Sequence, residues 1–308
     1  IKYFFMHILI TGASGFLGRN LCTELETKNK FKLTKLDSQN CDLTKKDNLL
    51  KYNKIKYDYI FHLAAWIEGG EFSKKNEGKI LKINNLINNN ILEWIINNQP
   101  QSKIITIGSS GAYDPNLELK EENYLKGFPH KSLSEYGLSK RELYRRLINI
   151  NEKFNIKYLH FIPTTIYGPN YHTDRKNMQF IYDIIKKILL GKNKNADVVL
   201  WGNGFQKRQL LFIKDFVNII LNTFKIKENT SYNICPKDYY TIKQYAKIIS
   251  KSIGFDHNKI IYDKDKFVGV NERILSNNKF LLDHPKYNFT NIQKGLQETI
   301  EWSENYFF

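Results

Sequence analysis

The stretch from Leu9 to Gly18, "LITGASGFLG", constrains this chain more than any other. A short apolar run ends at Gly12. Gly15 and Gly18 follow at three-residue steps, and "FLGRNLCTELETK" then carries helical spacing through Phe16, Leu17, Leu21 and Leu25. Strand, glycine turn and helix in this order predict a dinucleotide site. The first glycines and Ser14 form a tight turn that brings backbone close to a pyrophosphate. The helix start offers free N–H groups and a positive dipole end, and Gly18 permits close helix–sheet packing. Asp37 lies nineteen residues beyond Gly18, at the end of the strand-like "FKLTKLD". A carboxylate there accepts both adenosine-ribose hydroxyls and repels a 2′-phosphate, so NAD is expected over NADP. Asp42, in "CDLT", has two open readings: a contact to the adenine amino group, or a turn residue before "KKDNLL".

Strand-like and helix-like segments alternate through the first half. "YDYIFHLAA", "SKIITIGSS" and "IKYLHFIPTTIYG" read as strands; "KINNLINNNILEWIINN" and "SEYGLSKRELYRRLININEKF" read as long amphipathic helices. Buried strands alternating with helices predict an α/β fold, a doubly wound parallel Rossmann sheet covered on both faces. After Tyr167 the pattern loosens into short helices and strands. The expected division is a dinucleotide-binding domain over 1–166, with a segment near 211–236 returning to it, and a smaller mixed substrate-binding domain over 167–308.

Composition excludes other classes. The 308 residues are 42% hydrophobic and 25% charged, an ordinary globular balance. Three well-separated cysteines, Cys22, Cys41 and Cys235, fit a reducing cytoplasm rather than a disulfide framework. No metal-ligand spacing, secretory signal or membrane-length apolar run is present, so no metal and no membrane association are expected. The net charge of +16 is spread along the chain among Asn, Glu and Asp. It fits a small anionic ligand such as a nucleotide diphosphate better than nucleic acid.

"SEYGLSK" places Tyr136 one helical turn ahead of Lys140, on one face. A cation close by favours the phenolate. Together with "TGASGFLG", "FHLAA", "IGSS" and "PTTIYGP", in this order, it resembles the extended short-chain dehydrogenase/reductase family of nucleotide-sugar enzymes. "HLAAWIEGG", "IYGP" and "WGNGFQKRQLLFIKDF" are most similar to its GDP-fucose-forming branch. The resemblance implies that Tyr136 exchanges a proton with the sugar oxygen and that Lys140 holds the nicotinamide ribose. It also implies that Ser109 donates a hydrogen bond to the same oxygen. Leu43, Leu63, Ala64, Ala65, Pro163 and Ile166 would line the dinucleotide site.

Departures narrow the expected chemistry. The Asp-Glu pair of the family's dehydratases is replaced by Ser110 and Gly111. The fucose branch has an epimerising Cys at the position of Gly111, and its His falls near Met178, with His172 a few residues earlier. What remains is hydride transfer at one carbinol, C4. Asp37 favours oxidation to a 4-keto sugar with NAD; an NAD-dependent 4-epimerase, an NADP-dependent 4-keto reductase and a non-catalytic dinucleotide binder are the alternatives. On the substrate side Ser110, Gly111, Asn177, Trp201, Arg208 and Arg273 are candidates, with Arg208 a diphosphate clamp and Trp201 either on the nucleotide or in the core. Glu68 reads as a sugar contact or an exposed loop carboxylate. A homodimer or larger assembly through the two long helices is expected.

Overall fold

A computed structural model describes residues 5–67, 76, 78–172, 178–266 and 268–307. The first strands are β1 (Met6–Thr11), β2 (Phe31–Leu36), β3 (Tyr59–His62), β4 (Lys103–Ile107) and β5 (Tyr158–Pro163). The helices among them are α1 (Phe16–Thr27), α2 (Lys79–Asn98) and α3 (Ser134–Phe154). The remainder holds strands β6 (Thr165–Tyr167), β7 (Val198–Trp201), β8 (Lys207–Arg208), β9 (Leu210–Phe212), β10 (Thr230–Ile234), β11 (Tyr240–Thr241), β12 (Ile260–Asp263) and β13 (Glu272–Arg273). Its helices are α4 (Phe180–Lys194), α5 (Ile213–Thr223), α6 (Ile242–Ile253), α7 (Asn278–Asp283) and α8 (Ile292–Phe307).

Six strands form one parallel sheet in the order β10-β5-β4-β3-β1-β2. The order reverses between β1 and β3, which opens a crevice at their carboxyl ends. Alternation along β1 sends Ile8 and Ile10 into one apolar cluster, with Leu21 and Leu25 of α1 and Phe216 and Ile220 of α5. Leu9 goes to the other face, with Ile91 and Ile95 of α2 and Leu143 and Leu147 of α3. The first cluster continues without a break through Ile181 and Ile185 of α4 to Leu296 and Ile300 of α8.

The segment read from sequence as one strand, "IKYLHFIPTTIYG", breaks in two. β5 stays in the main sheet, whereas β6 pairs with β9 in a separate ribbon. The junction is Thr164, whose N–H donates to Ile234 while its hydroxyl donates to the Gln209 carbonyl. That residue hands the chain from one sheet to the other. β10, from the later half, takes the edge beside β5.

Two histidines lie inside the main sheet. His62 Nδ1 is 2.8 Å from Thr11 Oγ1, and its Nε2 is 2.9 Å from Asn88 Oδ1 on α2. His160 Nδ1 is 2.7 Å from Thr106 Oγ1. Burial, reinforced by the Lys140 ammonium, pushes His62 down to about 4 and His160 down to about 3. Both rings are therefore neutral near pH 7. Unfolded, they titrate near 6.5, so the unfolded chain binds more protons at acid pH, and stability falls as pH drops below 6.5. Each ring should remove roughly 2 kcal/mol of unfolding free energy between pH 7 and pH 5. Urea unfolding at the two pH values measures the loss. NMR titration of the ring protons assigns it, and a native ring titrating between 6 and 7 would refute its share.

Candidate active site

The glycine turn is built as a cradle. Gly12 has φ +68°, and a Cβ there would lie 2.8 Å from the Ala64 nitrogen. A Cβ on Gly18 would lie 2.1 Å from the Gly12 carbonyl oxygen. Neither position admits a side chain, so the β1 turn, the β3 turn and α1 meet backbone to backbone. Gly15 is the N-cap of α1 and no side chain caps that end. The first-turn amides of Phe16, Leu17 and Gly18 thus carry the helix's positive end toward the crevice, an arrangement that fits a pyrophosphate. Leu63, Ala64 and Ala65 follow β3 across the crevice from Ser14; Pro163 ends β5, and Ile166 lies in β6.

Asp37 follows β2. Its Oδ1 accepts the N–H groups of Gln39 and Asn40, at 3.0 and 3.1 Å, and thereby shapes the turn that carries it. The neighbouring Lys35 is ion-paired with Glu26. Asp42 Oδ1 accepts from the Thr44 N–H and hydroxyl, and these bonds lower its carboxyl below the usual range. That engagement matches the turn-residue reading of Asp42, with Leu43 buried beside it.

Tyr136 and Lys140 stand in the first turns of α3, with the Lys140 Nζ 5.5 Å from the phenol ring centre. Nζ donates to the Ile107 carbonyl at 2.8 Å, at the end of β4. Burial pushes the Lys140 ammonium down to about 8. Tyr136 is half-buried, and burial holds its phenol well above the usual range. In the protein alone desolvation sets the phenol pKa, while the Lys140 ammonium is engaged with the Ile107 carbonyl. Ser109 follows β4. Its Oγ accepts the Gly111 N–H at 3.1 Å, which leaves the hydroxyl hydrogen free to donate elsewhere, and its own N–H donates to the Tyr124 hydroxyl at 3.2 Å.

A relay of hydrogen bonds, which motif reading missed, ties the crevice to α3. The Ala64 N–H donates to Thr11 Oγ1 at 3.2 Å. Thr11 meets His62, His62 meets Asn88, and Asn88 Nδ2 donates to the Ser139 carbonyl at 3.5 Å. Asn88 uses its amide hydrogens on Ser139, so its oxygen accepts from His62 Nε2 and the Thr11 hydroxyl donates to Nδ1. His62 was quoted only as part of "FHLAA"; pairing with an Asn on a distant helix leaves no local signal.

Beyond the turn, a Cβ on Gly111 would meet Leu133 Cδ1 at 2.8 Å, Ser109 Oγ at 3.4 Å and Arg273 Nη1 at 3.6 Å. Leu133 fills the space a side chain at 111 would need. Ser110 and Gly111 line a small cavity with His130, Leu133 and Arg273. Arg208 and Arg273 are register partners on β8 and β13. Among the described residues neither is ion-paired. Burial, with the Arg273 charge beside it, pushes Arg208 down to about 9, and burial pushes Arg273 down to about 10. Arg208 spends Nη1 on the Lys207 and Asn271 carbonyls and Nη2 on that of Val270. Arg273 is freer: Nη2 donates to Thr165 Oγ1, and Nε is buried without a partner. Trp201 is 44% exposed on β7, with the Lys187 ammonium 5.4 Å from its ring centre, so it is not a core residue. Asn177 and Glu68 lie outside the described residues. Met178 packs against the main core.

Among the described residues no group of three or more His, Cys, Asp and Glu side chains could hold a metal ion. No helix among them is long and apolar enough to cross a membrane.

Known proteins similar to this chain carry related names. The chain is 28% identical to a GDP-L-colitose synthase of Yersinia pseudotuberculosis, over 97% of this chain and 98% of that one. A GDP-L-fucose synthetase of Naegleria fowleri, solved with NADP, superposes with TM-score 0.84 at 25% identity, over 97% and 94% of the two chains. The fold is shared as well with a GDP-6-OMe-4-keto-L-xylo-heptose reductase of C. jejuni, with TM-score 0.87 at 18% identity over 98% of both chains. Residues 8–235 match the model of the NAD dependent epimerase/dehydratase family, and this chain belongs to that family of NAD(P)-dependent short-chain dehydrogenase/reductase enzymes.

Proposed function

We propose that this enzyme reduces the C4 keto group of a nucleotide-activated sugar, a GDP-sugar by its relatives, and leaves C3 and C5 unchanged. The observation that carries this reading is the grouping of Ser109, Tyr136 and Lys140 at the sheet's carboxyl edge, with Leu133 packed where a side chain at 111 would sit. Burial keeps the Tyr136 phenol protonated, so the group has a proton to give, and positive charge brought in by the bound cofactor would make it a stronger acid. Reductase and synthase names among the relatives favour reduction over the oxidation expected from sequence.

A nicotinamide dinucleotide, when bound, supplies the hydride. The first-turn amides of α1 would hold its pyrophosphate, and Lys140 its nicotinamide ribose. Ser109 donates its hydroxyl hydrogen to the C4 oxygen as negative charge builds there. Tyr136 passes its phenolic proton to that oxygen, which becomes the carbinol. Arg273, desolvated and without an ion pair among the described residues, suits the diphosphate, with Arg208 beside it although held by backbone carbonyls. Trp201 offers an exposed ring to the nucleotide. Nothing at 110 or 111 can take a proton from carbon, so the reading includes no epimerisation at C3 or C5. Assembly as a homodimer through α2 and α3 belongs to the same reading, supported by Leu86 and Leu138 exposed on those helices.

One residue favours a second reading. Asp37 Oδ2, without a partner among the described residues, and Lys35, tied to Glu26, suit NAD, and tightly held NAD would suit a 4-epimerase that needs only the same three residues. Denaturing the purified protein and identifying the released dinucleotide by mass spectrometry separates the cases. With a GDP-4-keto-6-deoxy sugar, C4-deuterated cofactor and ordinary substrate in D2O, a reductase places one cofactor deuterium at C4 and no solvent deuterium at C3 or C5. Solvent label at either carbon would overturn the reading.

Tyr136→Phe should keep cofactor affinity and lose turnover by several orders of magnitude; near-normal rates would remove the proposed donor. Lys140→Met should also abolish turnover, yet raise the stability of the cofactor-free protein at pH 7 by roughly 3 kcal/mol, because it removes a buried charge. The folded ammonium titrates near 8 and the unfolded one near 10.5, so the gain should shrink as pH rises from 8 to 10.5. Calorimetric melts across that range measure it, and a Met variant less stable at pH 7 would refute the buried-charge account. Asp37→Ala should weaken NAD binding and narrow discrimination against NADP. Fluorescence titration with both cofactors tests this, and an unchanged ratio removes Asp37 from that role.

A further inference from the structure

The cavity beside Ser110 and Gly111 contains an imidazole that no motif marks. His130 sits in the turn before α3 and caps the short helical turn at 131–133. The Ser132 backbone N–H donates to its Nδ1 at 3.3 Å, and the Ser132 hydroxyl lies 2.8 Å from the same atom. A backbone N–H can only donate, so Nδ1 accepts and the ring hydrogen resides on Nε2. Among the described residues Nε2 has no partner. The capping bonds thus fix the tautomer and leave one N–H donor on a ring in the cavity wall.

Arg273 lines the same cavity. Its Nη1 comes within 3.6 Å of where a Gly111 Cβ would be, and its buried Nε is unpartnered. The one carboxylate in the wall, Glu272, is turned away to Lys207 at 3.1 Å. The Tyr113 hydroxyl donates to Asn233 Oδ1, away from any ligand. Two residues with nitrogen donors therefore line one cavity in which, among the described residues, the only carboxylate is engaged elsewhere. Such a subsite suits a group that only accepts hydrogen bonds and carries negative charge.

We propose that His130 Nε2–H and the Arg273 guanidinium form an oxoanion subsite of the substrate pocket, next to the Ser109 turn. His130 is a substrate-binding residue in this assignment. The oxoanion is either a phosphoryl group of the nucleotide diphosphate or a carboxylate on the sugar. The proposal rests on the nucleotide-sugar reading above.

The test uses cofactor-saturated full-length protein titrated calorimetrically with GDP, GDP-mannose and GDP-mannuronate. His130→Ala removes both the cap and the donor. His130→Asn keeps a side-chain oxygen that can accept from the Ser132 N–H but is too short to reach the ligand. Both variants should lose about tenfold or more in affinity, with cofactor affinity unchanged. A loss already present with GDP assigns the oxoanion to the diphosphate. A loss confined to GDP-mannuronate assigns it to a sugar carboxylate. If His130→Asn binds every ligand as wild type does, the ring only caps the turn and the proposal fails; unchanged affinity in both variants overturns it as well. Wild-type protein that binds cofactor but none of the three ligands would overturn the GDP-sugar reading, and this subsite with it.

Discussion

The contact on which the architecture depends is between backbones. The Gly12 carbonyl approaches Gly18 so closely that a Cβ there would be 2.1 Å from it, and Gly12 presses on the Leu63–Ala64 peptide. This approach seats α1 on the sheet with its amide end at the switch between β1 and β3. It aligns the turn after β3 with the turn after β1. The His62 relay then continues from Ala64 through Thr11 and Asn88 to Ser139, one residue before Lys140. Directional bonds thus connect the glycine cradle to α3, part-buried at Ala64 and buried from Thr11 onward.

Charge follows a second rule. Lys140, Arg208 and Arg273 are substantially desolvated, and among the described residues none has a carboxylate partner. Leaving three cations uncompensated costs stability that a carboxylate could have restored. The folded chain accepts that cost at the carboxyl ends of its strands, where an anionic ligand would meet them. Two further buried cations, Lys103 and Arg141, are held by backbone carbonyls, while at the surface positive charge is neutralised locally, as at Lys46–Glu93, Lys157–Glu228 and Lys214–Glu298. The net charge of +16 gives the exterior an attraction for anions.

Elements defined by local pattern could be read from the sequence. "SEYGLSKRELYRRLININEKF" is α3 residue for residue, because amphipathic spacing and the αL cap at Asn155 are written into it. The glycine cradle was legible for the same reason, since its spacing is the geometry. Non-local features were not. The break between β5 and β6 depends on carbonyls of Gln209 and Ile234, far along the chain. His62 needs Asn88, twenty-six positions away, to fix its tautomer. Arg208 reads as a diphosphate clamp, yet its guanidinium is bound to three backbone carbonyls, two of them on the loop before β13. Trp201 could not be assigned to core or ligand from composition, and its place on the small β7–β12 sheet decides for exposure.

Position 111 shows how packing and chemistry are exchanged within one scaffold. A Cβ there would lie 3.4 Å from Ser109 Oγ and 3.6 Å from Arg273 Nη1. In this chain the space belongs to Leu133, which comes from the turn just before α3 and carries no proton to give or take. Reinstating a base at 111 would therefore require displacing an apolar side chain as well as adding a thiol, two coupled changes in one contact. A single substitution at 111 would first have to move the end of the Leu133 side chain, whereas Ser109 Oγ at 3.4 Å stays in ordinary contact. Three residues earlier His130 lines the same small cavity, so the leucine and the imidazole share one short turn ahead of α3.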